Sequence, residues 1–378
     1  MHDYNLHSYA SMLEDSHRVD AYLAAMRGAI VPGAVVVEIG TGTGFFAIMA
    51  CRFGASRVYA IEPSSAIEVA RQLARANGCA DRIEFIKDLS TRVVLPERAH
   101  VIVSDLHGVL PWYEMQMETL ADAVKRFLRP DGQVIPAAER LWVTVVEAPE
   151  PAGASRQHEL HGVDLRPVAQ LLAHQGVKAQ IESDQVLAVP QLAGLVDYLA
   201  IGRRDLSVDL SLTATRGGKA DGLGCWFDAT LFKDVDISNA PGRPRMIYGQ
   251  ALFPFPETVA VEAGDRIDVA LGARPAAGEY VWNWHTRIER HGKTVAAFRQ
   301  SDFNGQVLSL SGLHKTAGTF TPELSADGCE ELFILERMGS RKALEAIARE
   351  LQAAFPQAYS TPSSALVRVA KVSARFAR

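Results

Sequence analysis

Apolar and polar positions along the 378-residue chain fall into three successive patterns. From Val35 to about Pro136, short apolar runs alternate with stretches of helical periodicity. VVVEIG (35–40), VYAIE (58–62), RIEFIK (82–87) and HVIVSD (100–105) read as buried strands. Phe45–Gly54, Ala66–Asn77 and Met115–Leu128 read as helices. This alternation predicts an α/β fold, a parallel sheet with helices on both faces. Ahead of it, Val19, Tyr22, Leu23 and Met26 recur at helical spacing within Ser16–Arg27.

After Pro136 the runs become β-rich and are separated by Gly and Pro: LWVTVVEA, VDLSLTAT, CWFDATLF, TVAVEAG, RIDVALGA and YVWNWHTRIER. They predict an antiparallel barrel or sandwich. The interval Pro151–Leu187 interrupts them with polar and helical sequence, as an insertion or arm would. From about Leu308 the pattern changes again. Ser325 opens one helix, and Leu344, Ile347, Leu351 and Phe355 share the face of a second. A third falls at Ser363–Val372, so the end of the chain reads as a small helical or winged-helix module. The division is therefore 1–136, 137–307 and 308–378.

The stretch VVVEIGTGTG (35–44) carries the first chemical information. It is a strand running into a tight turn of Gly40, Thr41, Gly42 and Gly44, with a helix behind it. Glycines there let a ligand approach the main chain. Such a loop suits an adenosine-bearing cofactor at the carboxyl end of a parallel strand. Glu62 closes the second strand 18 residues beyond Gly44, where a carboxylate can accept from both ribose hydroxyls. The GxGxG spacing and the preceding Glu38 favour S-adenosylmethionine, whose cationic methionine end would sit near Glu38, over a nicotinamide dinucleotide.

Composition narrows the class a little further. A net charge of -5 and a pI near 6.1 do not favour a nucleic-acid partner. Cys51, Cys79, Cys225 and Cys329 form no CxxC pair, so neither a zinc ribbon nor a disulfide framework is indicated. No run approaches the ~18 apolar residues a membrane helix needs. With the polar start MHDYNLHSYA, this gives the expectation of a cytoplasmic, reduced protein without a membrane partner. His158, His161 and His174 lack the geometry of a metal site, and Trp282 and Trp284 alternate as a half-buried strand requires.

In its flanking residues the chain resembles the protein arginine methyltransferase family. YASMLEDSHRVDAY is similar to that family's N-terminal helical segment, and VVEIGTGTGFFAIMACRFGASRVYAIEPS to its cofactor loop and ribose strand. DGQVIP resembles its entry into a β-barrel, and HGVDL (161–165) the end of its dimerisation arm. The resemblance implies a Rossmann-like class I methyltransferase domain, a barrel with an arm at about 151–187, and a homodimer. It implies S-adenosylmethionine as methyl donor, S-adenosylhomocysteine as product, and an arginine-containing peptide, protein or small molecule as acceptor. It gives Arg18 the cofactor carboxylate and places Met12 near the sulfonium. Pro63, Asp88 and Leu89 complete the expected cofactor set.

The family's acceptor loop bears two glutamates. Here it reads SDLHGVLPWYE (104–114): Glu114 is present, Asp105 replaces the first acid, and Leu106 and His107 replace a Trp-Met pair. The family's Thr-His-Trp segment aligns with Met246–Tyr248, leaving Tyr248 in the Trp position. Two carboxylates make chemical sense for a guanidinium, which is planar and always protonated. Forked binding draws positive charge toward the held nitrogens and leaves the third with lone-pair character. Asp105 and Glu114 are thus the expected catalytic pair, with Asp105 about 1.5 Å shorter than a glutamate. Tyr9, His107, Trp112, Tyr113 and Tyr248 are the expected acceptor-pocket residues. The altered loop also admits a different small-molecule or peptide acceptor, and a non-catalytic binding protein is the alternative outside enzymes. The C-terminal module lies outside the resemblance; its layout is loosely similar to leader-peptide-binding winged helices.

Overall fold

The structure, a computed structural model, describes residues 5–147 and 159–377. Helices α1 (Leu6–Glu14) and α2 (Ser16–Ala29) precede the sheet; Asp15 caps α2, its carboxylate accepting from the Arg18 backbone N–H at 3.2 Å. The strand β1 (Val35–Ile39) is buried at all five residues, as a strand covered on both faces must be. There follow α3 (Phe45–Arg52), β2 (Arg57–Ile61), α4 (Ala66–Ala76), β3 (Ile83–Ile86), β4 (Ala99–Ser104), α5 (Gln116–Phe127) and β5 (Leu128–Ile135). The helix α3 stops at Arg52, short of the expected Gly54, where φ of +105° at that glycine breaks the helix.

All five strands run parallel in the order β3-β2-β1-β4-β5. The chain steps outward from β1 to β3, then returns to lay β4 on the other side of β1. The loops after β1 and β4 therefore part to opposite sides and leave a crevice, where open α/β sheets bind ligands. Register sharpens this: Ile39 pairs with Ser104. Gly40 and Asp105 thus leave adjacent strands at the same level.

Strand β6 (Ala138–Val146) begins the antiparallel half. The hairpin β7 (Glu159–Leu160) and β8 (Val163–Asp164) turns through His161 and Gly162, both at positive φ, as tight hairpins require. Next come α6 (Arg166–Leu172), β9 (Val177–Ala179), β10 (Gln191–Asp197), β11 (Leu206–Thr213), β12 (Gly218–Phe232), β13 (Val235–Ser238), β14 (Gln250–Val261), β15 (Arg266–Ala276), β16 (Glu279–Arg290) and β17 (Lys293–Ser301). One sheet has the order β10-β6-β12-β14-β9, with β13 on β12; the other is β11-β15-β16-β17. On β16, Trp282, Trp284 and Thr286 are buried while His285 is exposed, so the expected alternation holds.

The expected arm needs one correction. Its first residues lie outside the described ones, and β7, β8 and α6 follow; but β9 pairs with β14 and so belongs to the barrel sheet. Three residues are too few to show a strand period. His174, considered above for metal binding, accepts from the Ser301 N–H at 3.1 Å through Nδ1, and His158 lies outside the described residues.

Residues 1–306 form one compact unit and 307–378 another. Within the first, a single apolar cluster runs from β1 through α5 into β6, β10 and β16, so the change of pattern at Pro136 is not a break in packing. The second unit comprises α7 (Leu310–Lys315), α8 (Ala326–Gly339), α9 (Leu344–Ala354) and α10 (Pro362–Phe376). Ile334, Ile347, Leu351, Val369 and Val372 make its core. Its described residues contain helices only, so the winged-helix alternative lacks its strands.

Candidate active site

Gly40, Gly42 and Gly44 all take left-handed backbone angles, φ of +77°, +52° and +82°, closed to most side chains. Two of them are also sites of close approach. A Cβ on Gly40 would stand 2.6 Å from a Leu106 methyl, and one on Gly42 would stand 2.5 Å from the Tyr9 ring. The loop after β4 and the helix α1 therefore both rest on the glycine loop. Tyr9, expected in the acceptor pocket, lies over the glycine loop.

The acids behind this loop are buried. Glu62 accepts from the backbone N–H of Gly42 at 3.0 Å and of Ser64 at 2.9 Å, one on each oxygen. A carboxylate has about four acceptor positions, so lone pairs remain for hydroxyl donors. Glu38 accepts from the Thr41 hydroxyl at 2.6 Å. Burial pushes its carboxyl up to about 8, against the pull of Thr41 and the Ala47 backbone N–H and with help from the Glu62 charge. Asp88 accepts from the Leu89 N–H at 2.7 Å, closing the turn after β3. Pro63, Leu89 and Met12 are half-buried.

The acceptor loop is where the structure departs most from expectation. Arg18 is directed at Asp105. Its Nε donates to Asp105 at 2.6 Å and to the Tyr248 hydroxyl at 3.0 Å; its Nη2 pairs with the same carboxylate. Its Nη1 donates to the Met12 carbonyl at 2.9 Å. Tyr248 in turn donates to the other Asp105 oxygen at 2.8 Å. Of the five guanidinium N–H groups, one on each terminal nitrogen has no hydrogen-bond partner among the described residues. Burial by itself would raise the Asp105 carboxyl, yet Arg18, His107 and the Tyr248 hydroxyl outweigh it and hold it below the usual carboxylate range. Burial would also lower the Arg18 guanidinium, and Asp105 more than reverses that.

His107 lies behind Asp105. Its ring stacks on Tyr248, with centroids 4.5 Å apart, and meets Phe227 edge-on at 4.6 Å. Its Nε2 is 3.4 Å from Asp105 and 3.7 Å from Glu139. Glu139 is fully buried and accepts from the Tyr198 hydroxyl at 2.9 Å, and Gln116 donates to that hydroxyl. Nothing in the reading of motifs singled out Glu139, Tyr198 or Gln116. The signal was present in one case: Glu139 falls in phase with the inward-facing Leu141 and Val143 on β6, an acid on an apolar face.

Trp112 and Tyr113 fold the loop together. The Trp112 ring packs where a Cβ of Gly194 would be, within the main apolar cluster, and the Tyr113 ring lies over Gly108. Trp112 thus belongs to the core rather than to an open acceptor pocket. Glu114 is different. It is half-buried, holds a left-handed φ of +40°, and its carboxylate makes no hydrogen bond or ion pair with another described residue. Strained, uncommitted residues of this kind cluster at functional sites.

A five-stranded parallel sheet, a glycine loop at its reversal point and an acid two residues before the first glycine define a class I methyltransferase domain, and residues 36–132 match the family described as methyltransferase domain. Residues 151–283 match the arginine methyltransferase oligomerization subdomain. The chain belongs to the protein arginine methyltransferase family. It is 32% identical over 278 residues to the probable histone-arginine methyltransferase 1.4 of Arabidopsis thaliana, covering 68% of this chain and 52% of that protein. It is 29% identical over 273 residues to the arginine N(omega)-methyltransferase of Streptomyces achromogenes subsp. streptozoticus, covering 69% of this chain and 74% of that one. The chain spans about half the length of the first of these relatives. In fold it is similar to a chain of the Trypanosoma brucei PRMT1 enzyme-prozyme heterotetrameric complex with AdoHcy, with TM-score 0.72 and 21% identity over 79% of this chain and 98% of that one. Among the described residues no helix is long and apolar enough to cross a membrane, and no group of His, Cys, Asp and Glu is placed to hold a metal.

Proposed function

We propose that this chain methylates a guanidino nitrogen of arginine, in a peptide, a protein or the free amino acid, with S-adenosylmethionine as donor. One observation carries the reading: at the sheet's reversal point, the loop bearing Asp105 and Glu114 rests on the glycine loop through Leu106 and Gly40. The reading holds the donor on Gly40–Gly44 and the acceptor at Glu114, on the loop that leaves the neighbouring strand. S-adenosylmethionine supplies the electrophilic methyl group. Glu62 accepts from its ribose hydroxyls, Glu38 faces its cationic amine, and the spare N–H groups of Arg18 meet its carboxylate. Glu114 binds two guanidinium N–H groups and fixes the third nitrogen for attack, and such orientation is worth up to roughly 7–11 kcal/mol. The test is incubation with radiolabelled methyl donor and arginine, an arginine peptide or a basic protein. Label on methylarginine after hydrolysis is the expected result, and label absent from all three acceptors overturns the reading.

Two properties of the donor site are checkable without an acceptor. Glu62→Ala should weaken cofactor binding about ten-fold or more, since hydrogen bonds to a charged group are worth ~1.5–3 kcal/mol each; unchanged affinity by calorimetry removes Glu62 from the ribose role. Glu38 gives a pH dependence. Its folded value of about 8 lies above the ordinary carboxylate value, so its contribution to stability is complete below the unfolded pKa and is lost as pH rises through about 8. The anion faces the ligand's cationic amine, so ionising Glu38 favours binding as pH rises through that range. The ligand's amine titrates nearby, at ~7.7–8.0, so the readout is the difference between wild type and Glu38→Gln. Parallel affinity curves for the two would refute the assignment.

The match of residues 151–283 to an oligomerization subdomain supports a homodimer. Light scattering at micromolar concentration should give twice the chain mass of 41.1 kDa, and a monomer mass would exclude it.

A further inference from the structure

His107 is buried with neither ring nitrogen hydrogen-bonded within the described residues, and one oxygen of the fully buried Glu139 is likewise without a partner. Leaving such groups unsatisfied in a dry interior is costly, and they sit together. Nε2 of His107 lies between two carboxylates, Asp105 at 3.4 Å and Glu139 at 3.7 Å. Counting the charged and titratable groups around the ring explains the arrangement. Asp105 is matched by Arg18. Glu139 has the Tyr198 hydroxyl and, among the described residues, no cation but His107. Tyr248 and Phe227 flank the ring, and Tyr22 donates to the Ser104 carbonyl beside Asp105. With a neutral imidazole and an ionised Glu139 the buried group carries one net negative charge. One added proton makes it neutral, which a desolvated site favours. Burial raises the Glu139 carboxyl, and the neighbouring His107 opposes that.

We infer that His107 accepts, through Asp105, the proton that leaves the guanidinium when its nitrogen is methylated. This rests on the reading of the chain as a guanidino methyltransferase. The nitrogen's electron pair forms the new N–C bond, and the pair of the C–S bond remains on sulfur, which becomes a neutral thioether. The methylated nitrogen then carries one proton too many. Asp105 takes it and passes it across 3.4 Å to Nε2 of His107, where the imidazolium lies between two anions. His107 touches neither substrate and acts through Asp105; it occupies the position where the resemblance gives a methionine, and it stacks on the tyrosine that replaces the family tryptophan.

The experiment is single-turnover methyl transfer against pH for wild type, His107→Met and Glu139→Gln, with cofactor affinity measured on each. In wild type the rate should rise with pH to a plateau. His107→Met should bind cofactor normally, transfer ~100-fold more slowly at neutral pH, and lose that rise. Glu139→Gln removes an anion beside the ring, so its rise should move to lower pH; this second variant decides the matter if the first does not fold. An active wild type whose profile neither variant alters overturns the inference and leaves the functional reading standing. A wild type inactive on every arginine acceptor overturns the reading, and the inference with it.

Discussion

Glu114→Gln is expected to reduce methyl transfer by at least ~10²–10³-fold while cofactor affinity stays unchanged. That is the range seen when one preorganised electrostatic partner is removed from a reacting centre. The two acids of the loop are engaged differently. Both Asp105 oxygens are engaged, one by Arg18 and one by the Tyr248 hydroxyl. Glu114 has no such engagement with the described residues and sits at a backbone angle of +40° that most residues avoid. It is therefore the loop carboxylate proposed to hold the guanidinium. Glutamine keeps the shape and both acceptor lone pairs of one oxygen, but it loses the charge and turns the other position into a donor that opposes the substrate N–H. The proposed cofactor contacts lie on Gly40–Gly44, Glu38 and Glu62, so calorimetry with S-adenosylhomocysteine should show no change. Turnover within about three-fold of wild type would remove Glu114 from the clamp.

Much of the domain was legible because its signals are local. Five consecutive buried residues mark β1, and the glycines of 40–44 need no distant partner to be read as a ligand loop. What escaped depends on residues far apart in the chain. Arg18 reaches Asp105 across 87 positions and Tyr248 across 230, and no periodicity encodes that. Its family role was transferred by motif to the cofactor carboxylate; the fold also commits two of its five N–H donors to Asp105. Trp112 read as a pocket aromatic, and only the opposite strand, where Gly194 leaves room for its ring, decides for core. The strand β9 was lost inside the arm because its pairing with β14 is its only strand signal.

The same distance effect explains the substitutions in the acceptor site. Asp105, His107 and Tyr248 each departed from the family pattern, and in sequence they were three separate losses. In the fold they touch one another. The tyrosine hydroxyl reaches the shortened acid, and the histidine ring fills the space against the tyrosine. They form one replacement for the family arrangement, so the missing methylene of Asp105 is compensated from the barrel side.

That view makes Asp105 the second position of large effect. Asp105→Asn leaves the Arg18 guanidinium buried without its anion, and breaking one partner of a buried pair costs ~3–5 kcal/mol. The loss should appear in urea unfolding followed by tryptophan fluorescence, because all five tryptophans lie in the larger unit. Because the Asp105 carboxyl is held low in the folded protein, its contribution to wild type is present above the unfolded pKa and is lost as pH falls through the depressed value. The gap between wild type and Asp105→Asn should therefore narrow in acid. Asp105→Glu restores the family acid but brings one more methylene against the Tyr248 hydroxyl at 2.8 Å, so alone it should be less stable and slower than wild type. Combined with Tyr248→Phe it should recover part of both losses, with a coupling of ~0.5–3 kcal/mol in the double-mutant cycle. Strict additivity of the two changes would show that the acid and the tyrosine are independent, and that the site was not rebuilt as a unit.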